Sequence, residues 1–326
     1  MTYSTFIFGA GGQDGSLLVD KFLNDGTKLA IFLGDNGLNP DEAHTDRVNH
    51  AIIKNTISLH ETKKVDSTEF IKLLLTNQPE TLYYLASKEQ QGNRELRLSD
   101  SILQNYVNYE LPKMLIDLLC RHSKKTRFIY AGSSRMYLGH SGYCVVDEET
   151  KPHPTDDYGL AKSKTIELLE QMNQTNQINS CSAILFNHDS ERRKKGYLSY
   201  DVVDQFVDRI LSKKFDPIEL FNSQIELDWL SAHDVVEALY KLGKQNVKGK
   251  FVIGSGKLTK IHNVVNSINK FYGTNFEIID KSSENQRNFL VSKIDKVKSL
   301  TNWSPKEGIE NVLIKMIQLK IDSLYR

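Results

Sequence analysis

The sequence predicts an α/β fold, a doubly wound parallel sheet with a smaller C-terminal lobe interleaved with it. Three observations carry this expectation. Short apolar runs alternate with amphipathic stretches through the first half of the chain, a glycine-rich turn follows the first of those runs, and the rhythm changes after Phe186. Strands of a parallel sheet are covered on both faces, so they read as continuous apolar runs rather than as alternation.

The strand-like runs fall at Thr5–Phe8, Lys28–Leu33, Thr56–His60, Thr81–Leu85, Arg127–Tyr130 and Ser180–Phe186. Between them lie helix-like stretches at Ser16–Asn24, Ser67–Thr76, Leu103–His122 and Tyr158–Thr175. Beyond Phe186 comes a charged stretch, Asn187–Lys195, then a helix near Ser199–Ser212 and a strand at Gln224–Leu230. A helix at Ala232–Lys241, a strand at Lys250–Ile253, a turn around Gly254–Gly256 and a helix at Lys260–Phe271 follow, with mixed structure to Arg326.

Composition narrows the class. The 326 residues are 39% hydrophobic and 25% charged, an ordinary balance for a globular chain. Lys+Arg 42 against Asp+Glu 41 gives a formal charge of +1, so no global attraction to nucleic acid or to an anionic membrane is expected. Cys120, Cys144 and Cys181 are widely spaced and form no metal-ligand pattern, which fits a reducing compartment and no metal site. The N-terminus enters a strand almost at once, and apolar runs such as Leu29–Leu33 fall far short of the roughly 18 residues of a membrane span. A cytoplasmic protein is the expectation.

Gly9-Ala10-Gly11-Gly12-Gln13-Asp14-Gly15 sits between the strand Phe6–Phe8 and a helix, with glycines at positions 9, 12 and 15. Glycine allows a sharp turn and close approach of a pyrophosphate, and the helix N-terminus then offers N–H groups to the phosphates. In a strand–turn–helix context this is the fingerprint of a Rossmann-type dinucleotide site, with Gly9, Gly12, Gln13, Asp14 and Gly15 as cofactor-binding candidates. Asp35, with Asn36 beside it, ends the second strand twenty residues after Gly15. A carboxylate there accepts bonds from the adenosine ribose and repels a 2′-phosphate, favouring NAD, while Arg47 leaves NADP open. Residues 1–186 thus read as a dinucleotide-binding domain to which elements near 224–255 return, with 187–223 and 256–326 as the second lobe.

Tyr158 and Lys162 stand at i and i+4, sharing a helix face. An ammonium beside a phenol is expected to lower its pKa and make Tyr158 a usable acid/base. Ser133 ends the strand Phe128–Tyr130 and its continuation, where it would hold the substrate oxygen. Ser133, Tyr158 and Lys162 are the catalytic candidates.

With these residues in view, the chain resembles the extended short-chain dehydrogenase/reductase superfamily and, within it, the GDP-mannose 4,6-dehydratase family. The likeness lies in Gly9–Leu17, Val65–Thr68, Leu185–Arg193, Leu227–Trp229, Ala232–Val236, Phe251–Gly256 and Trp303–Pro305, nearly the whole chain. It implies a nucleotide-sugar substrate bound by the second lobe, an NAD or NADP cofactor, a role in polysaccharide biosynthesis, and a homo-oligomer, dimer or tetramer. It also implies that Leu85 and Ala86 line the dinucleotide and that Ser134, Arg135, Asn187, Arg192 and Arg287 serve the substrate.

The departures bear on the chemistry. The family's glutamate two residues beyond the triad serine is Arg135 here, and a guanidinium cannot take a proton from C5. The family's arginines after the second strand are Gly34 and Asp35, and its acidic residue near the adenine is Lys63. Glu89 is a surrogate base to be weighed against an exposed helix-start residue. A nucleotide-sugar oxidoreductase acting at C4, as 4-keto reductase or 4-dehydrogenase, is the reading this supports. A 4,6-dehydratase with a relocated base, a C4 epimerase and a non-catalytic dinucleotide sensor are the alternatives.

Overall fold

The computed structural model describes residues 2–34, 47–48, 57–61, 67–89, 98–281 and 288–325. In chain order the elements of the first part are β1 (Thr5–Phe8), α1 (Gln13–Asn24), β2 (Leu29–Leu33), β3 (Ile57–Glu61), α2 (Thr68–Asn77), β4 (Thr81–Tyr84), α3 (Leu98–Asn105), a wide helical turn (Tyr106–Glu110), α4 (Leu111–His122), β5 (Arg127–Ser133), β6 (Gly142–Val146), α5 (Asp157–Gln174) and β7 (Asn179–Leu185). They are followed by β8 (Asn187–Asp189), α6 (Leu198–Ser212), β9 (Ile218–Leu220), β10 (Glu226–Ser231), α7 (Ala232–Lys244), β11 (Gly249–Ile253), β12 (Leu258–Lys260), α8 (Ile261–Tyr272), β13 (Ile278–Asp280), β14 (Asn288–Ser292), α9 (Asp295–Thr301) and α10 (Ile309–Leu324).

Among the described residues, seven strands form one sheet in the order β11-β7-β5-β4-β1-β2-β3, and every pairing is parallel. The chain leaves β1 toward β2 and β3 on one side, then returns to β4 and runs outward through β5, β7 and β11 on the other. A crevice therefore opens at the carboxyl ends of β1 and β4, where the winding reverses and α/β sheets bind ligands. Both β1 and β4 are buried at every position, as strands covered on two faces must be. Phe8 stacks on Phe32 with ring centroids 4.1 Å apart, and Phe70 of α2 meets both rings edge-on.

A second apolar cluster joins Val202 and Phe206 of α6, Ile218 and Leu220 of β9, Val264 and Ile268 of α8, and Leu313 and Ile317 of α10. The two cores do not divide at residue 256. Val297 of α9 and Trp303 lie in the core of the main sheet, because α9 packs against β11 and α7 and Trp303 Nε1 donates to the Asp234 carbonyl at 2.9 Å. Buried Asp228 holds the lobes in register: it accepts from the amides and hydroxyls of Ser255 and Ser292 and from the Gly256 amide, at 2.5–3.2 Å. No helix among the described residues is long and apolar enough to cross a membrane.

Candidate active site

The glycine turn lies at the mouth of the crevice. Gly9 has φ +81°, and a Cβ there would stand 2.5 Å from the Ala86 amide nitrogen. A Cβ on Gly15 would stand 2.1 Å from the Gly9 carbonyl oxygen. These two positions require glycine for the turn to close on the Leu85–Ala86 segment. Gly12 caps α1 and brings no side-chain cap, so the first-turn N–H groups take no bond from a capping side chain. That is the donor set a pyrophosphate needs, and it places Gly9, Gly12, Gly15, Leu85 and Ala86 together.

Gln13 and Asp14 differ from expectation in their side chains. Gln13 accepts from Ser190 Oγ at 3.0 Å and donates to the His188 carbonyl at 3.3 Å, while Asp14 accepts from His188 Nε2 at 3.0 Å. Both side chains bind the 188–190 segment, so only their backbone is offered at the turn. Asp35, Asn36, Lys63 and Arg287 lie outside the described residues. Arg47 donates to the Gly11 carbonyl at 3.1 Å.

The three catalytic candidates meet across β5 and α5. Ser87 Oγ donates to the Tyr158 hydroxyl at 3.3 Å, and Ser133 stands near enough to act on the same hydroxyl. Lys162 is 1% exposed, donates to the Ala131 carbonyl at 2.9 Å, and stands 5.7 Å from the Tyr158 ring centroid. Burial draws the Lys162 ammonium down to about 7 against the opposing charge of Glu89. Tyr158 is pushed up to about 12, by burial first and then by Glu89, over the opposing pull of the two serines and Arg135. The expectation that Lys162 lowers the phenol is thus corrected: a buried, half-neutral lysine cannot outweigh desolvation. At neutral pH Tyr158 carries its proton.

Arg135 is pinned. One guanidinium nitrogen pairs with Glu89 and another with Asp156, and the group lies 5.2 Å from the Tyr158 ring centroid. Asp156 also caps α5 by accepting from the Gly159 amide at 2.7 Å, so the ion pair is anchored to the helix that carries Tyr158. Ser134 is buried beneath it. Glu89 is no exposed helix-start residue; it takes Arg135 on one oxygen and faces Tyr197 Oη at 3.4 Å on the other.

Asn187 is exposed on β8, and β8 runs parallel to β10. Arg192 pairs with Asp20 of α1. Arg193 pairs with Asp189 and covers the Tyr197 ring at 4.4 Å, and Asp189 accepts from Trp229 Nε1 at 2.6 Å. Arg192 therefore ties the second lobe to α1, with its Nη1 buried and unpartnered among the described residues, while Arg193 braces the second lobe internally.

Asn108, absent from the sequence expectations, organises the floor. Its amide donates to the Lys88 carbonyl at 2.7 Å and its Oδ1 faces Ser87 Oγ at 3.4 Å. Its carbonyl accepts from Tyr130 Oη at 3.0 Å and Thr165 Oγ1 at 2.9 Å. The signal was Pro112, four residues on, which has no N–H to close a helical bond to that carbonyl.

Against known proteins, the family described as GDP-mannose 4,6 dehydratase matches residues 6–316. The chain belongs to this GDP-mannose 4,6-dehydratase family. GDP-mannose 4,6 dehydratase 2 of Caenorhabditis elegans is 25% identical to this family member over 95% of the chain and 87% of its own length. UDP-glucuronic acid 4-epimerase from Bacillus cereus, solved with UDP-glucuronic acid and NAD, superposes with a TM-score of 0.80 at 20% identity, covering 98% of this chain and 99% of its own. dTDP-glucose 4,6-dehydratase from Bacillus anthracis str. Ames, solved with NAD, gives a TM-score of 0.81 at 16% identity, with 98% and 97% covered. An epimerase and a dehydratase of nucleotide sugars thus share this fold.

Proposed function

We propose that this protein is an NAD(P)-dependent oxidoreductase that exchanges a hydride at C4 of a GDP-linked sugar, working as a 4-keto-sugar reductase or the reverse 4-dehydrogenase. The observation that carries this is the pinned guanidinium of Arg135. Elimination across C5 and C6 needs a base within reach of the C5 proton. Arg135 stands where the family's glutamate would be and stays protonated, and the carboxylates beside it, Glu89 and Asp156, are both held in its ion pairs. Exchange at C4 asks for no such base.

A bound dinucleotide supplies or accepts the hydride. The first turn of α1 and the glycines at 9, 12 and 15 would hold its pyrophosphate. NAD is the favoured form on the sequence reading of Asp35, with NADP left open. Ser133 would hold the C4 oxygen, and Tyr158, protonated at rest, would hand that oxygen its proton during reduction. Lys162, in its protonated form, would stabilise the tyrosinate as it forms and bind the nicotinamide-side ribose. Arg135 Nε, buried without a partner among the described residues, is left for a sugar oxygen, and Asn187 borders the nucleotide side. A homo-oligomer belongs to the same reading.

A second reading, a 4,6-dehydratase with Glu89 as base, is favoured by the family match and by Glu89 being the charge that acts most on Tyr158. Incubation with a ready-made GDP-4-keto sugar and reduced cofactor, read by loss of nicotinamide absorbance and by product mass, tests the first. Oxidation of the cofactor with a gain of two mass units in the sugar supports reduction. Inertness there, together with loss of water from GDP-mannose, supports the second.

A further inference from the structure

His188 carries a constraint that the C4 chemistry does not use. Its Nδ1 stands 2.6 Å from the Phe186 carbonyl oxygen, and its Nε2 stands 3.0 and 3.1 Å from the two carboxylate oxygens of Asp14. Both partners accept and neither donates. A neutral imidazole has a single N–H, so only the doubly protonated ring satisfies both. The side chain is 14% exposed, and a bond left unmade there is poorly replaced by water.

Among the described residues, two charged groups act most on the ring. Asp14 faces it from α1, and Arg193 faces it from the loop after β8, already paired with Asp189 and stacked on Tyr197. From β10, Trp229, Leu230 and Ser231 lie beside β8 and carry no charge. Burial and Arg193 work against the proton, yet the Asp14 carboxylate prevails and holds His188 above its ordinary value, while Asp14 itself is held below the ordinary carboxylate range.

Asp14 stands in the first turn of α1, the turn whose N–H groups would receive a pyrophosphate. A carboxylate there competes with phosphate for the positive end of the helix and repels it. We propose that His188 is a positioning residue, a buried imidazolium that neutralises Asp14 and ties the glycine turn to β8, so that dinucleotide binding is linked to its proton. This rests on the dinucleotide reading above. The sign follows from linkage: a bound dianion favours the proton further, so affinity is constant below the free protein's His188 pKa and falls as pH rises through it. A difference of one pKa unit between free and bound protein corresponds to about a tenfold loss.

Histidine-selective NMR of the whole chain, with His188 assigned by its disappearance in His188→Gln, reads the proton without any ligand. The wild-type midpoint is expected above about 6.5, the ordinary value. In Asp14→Asn the new amide can donate to a neutral ring, so the midpoint should fall by about a unit or more. Calorimetric titration with NAD between about pH 6 and 9 reads the linkage. Wild type should lose about tenfold more affinity than His188→Gln over that range; Lys162 also titrates there but is common to both, so the difference isolates His188. A His188 midpoint at or below the ordinary value, an unmoved midpoint in Asp14→Asn, or superimposable affinity profiles would each overturn the proposal. Failure of NAD to bind at any pH would overturn the dinucleotide reading and the linkage with it, and the ligand-free titration tells that failure from a failure of the ion pair.

Discussion

Tyr158 and Lys162 show how burial decides chemistry one residue at a time. A phenol raised to about 12 is an acid in waiting, suited to protonating the oxygen of a ketone as it is reduced. Tyr158→Phe should cut turnover by roughly 10²–10⁴-fold, the usual worth of a positioned proton donor, with an unchanged circular dichroism spectrum. Near-normal turnover would remove the residue from the mechanism. Lys162, depressed to about 7, makes a stability prediction whose sign is fixed by linkage. Between about 7 and 10.5 the unfolded chain binds a proton that the folded chain lacks, so the cost of burying this lysine is full below about 7 and is relieved as pH rises. Lys162→Met should therefore be most stabilising, relative to wild type, near pH 6. That advantage should shrink by roughly 2 kcal/mol between pH 7 and 9, measured by denaturant unfolding of the ligand-free proteins. A gap independent of pH would mean that the ammonium is not desolvated.

Elements differ in how much of themselves they announce. β1, β2, β4, β5 and β7 were legible because a strand covered on both faces has no choice but to be apolar, and their ends fell within a few residues of the expected places. Gly9, Gly12 and Gly15 were legible because no other residue fits the first and last of those positions. The stretch expected as one helix, Leu103–His122, is continuous helical backbone, widened to a π-turn over Tyr106–Glu110. Pro112 has no N–H for the Asn108 carbonyl, which goes instead to Tyr130 and Thr165, partners remote in sequence. Nothing local to Asn108 tells of them. β6 and β14 were missed for a similar reason: they pair with each other across 146 positions, as Gly142 with Asn288, and β6 is largely exposed. Asp228 belongs to this class of long-range contacts. Asp228→Asn would turn one of its accepting oxygens into a donor facing the Ser255 or Ser292 amide, and the loss should be about 1–3 kcal/mol in chemical denaturation. A variant as stable as wild type would show that the 254–256 turn and β14 are held by other contacts.

At the scale of the whole molecule, the site is a seam. On the proposed reading the sheet side supplies the glycine turn, Ser133, Tyr158 and Lys162 and the second lobe supplies Asn187 on β8, while Arg192 with Asp20 ties the two together. That Ser133, Tyr158 and Lys162 lie together, and that the glycine turn follows β1, was readable from spacing, whereas the ion pairs of Arg135 were not, because Glu89 and Asp156 reach it from separate segments. On the proposed reading, that three-residue knot separates exchange at C4 alone from elimination across C5 and C6. The most direct test is to run the protein in heavy water, with GDP-mannose and oxidised cofactor in one arm and a GDP-4-keto sugar with reduced cofactor in the other, and to read deuterium at sugar C5 by NMR and mass. The account predicts hydride delivered to C4 in the second arm, no 4-keto-6-deoxy sugar in the first, and no deuterium at C5 in either. Formation of the 4-keto-6-deoxy product with deuterium at C5 would contradict it and make Glu89 the base.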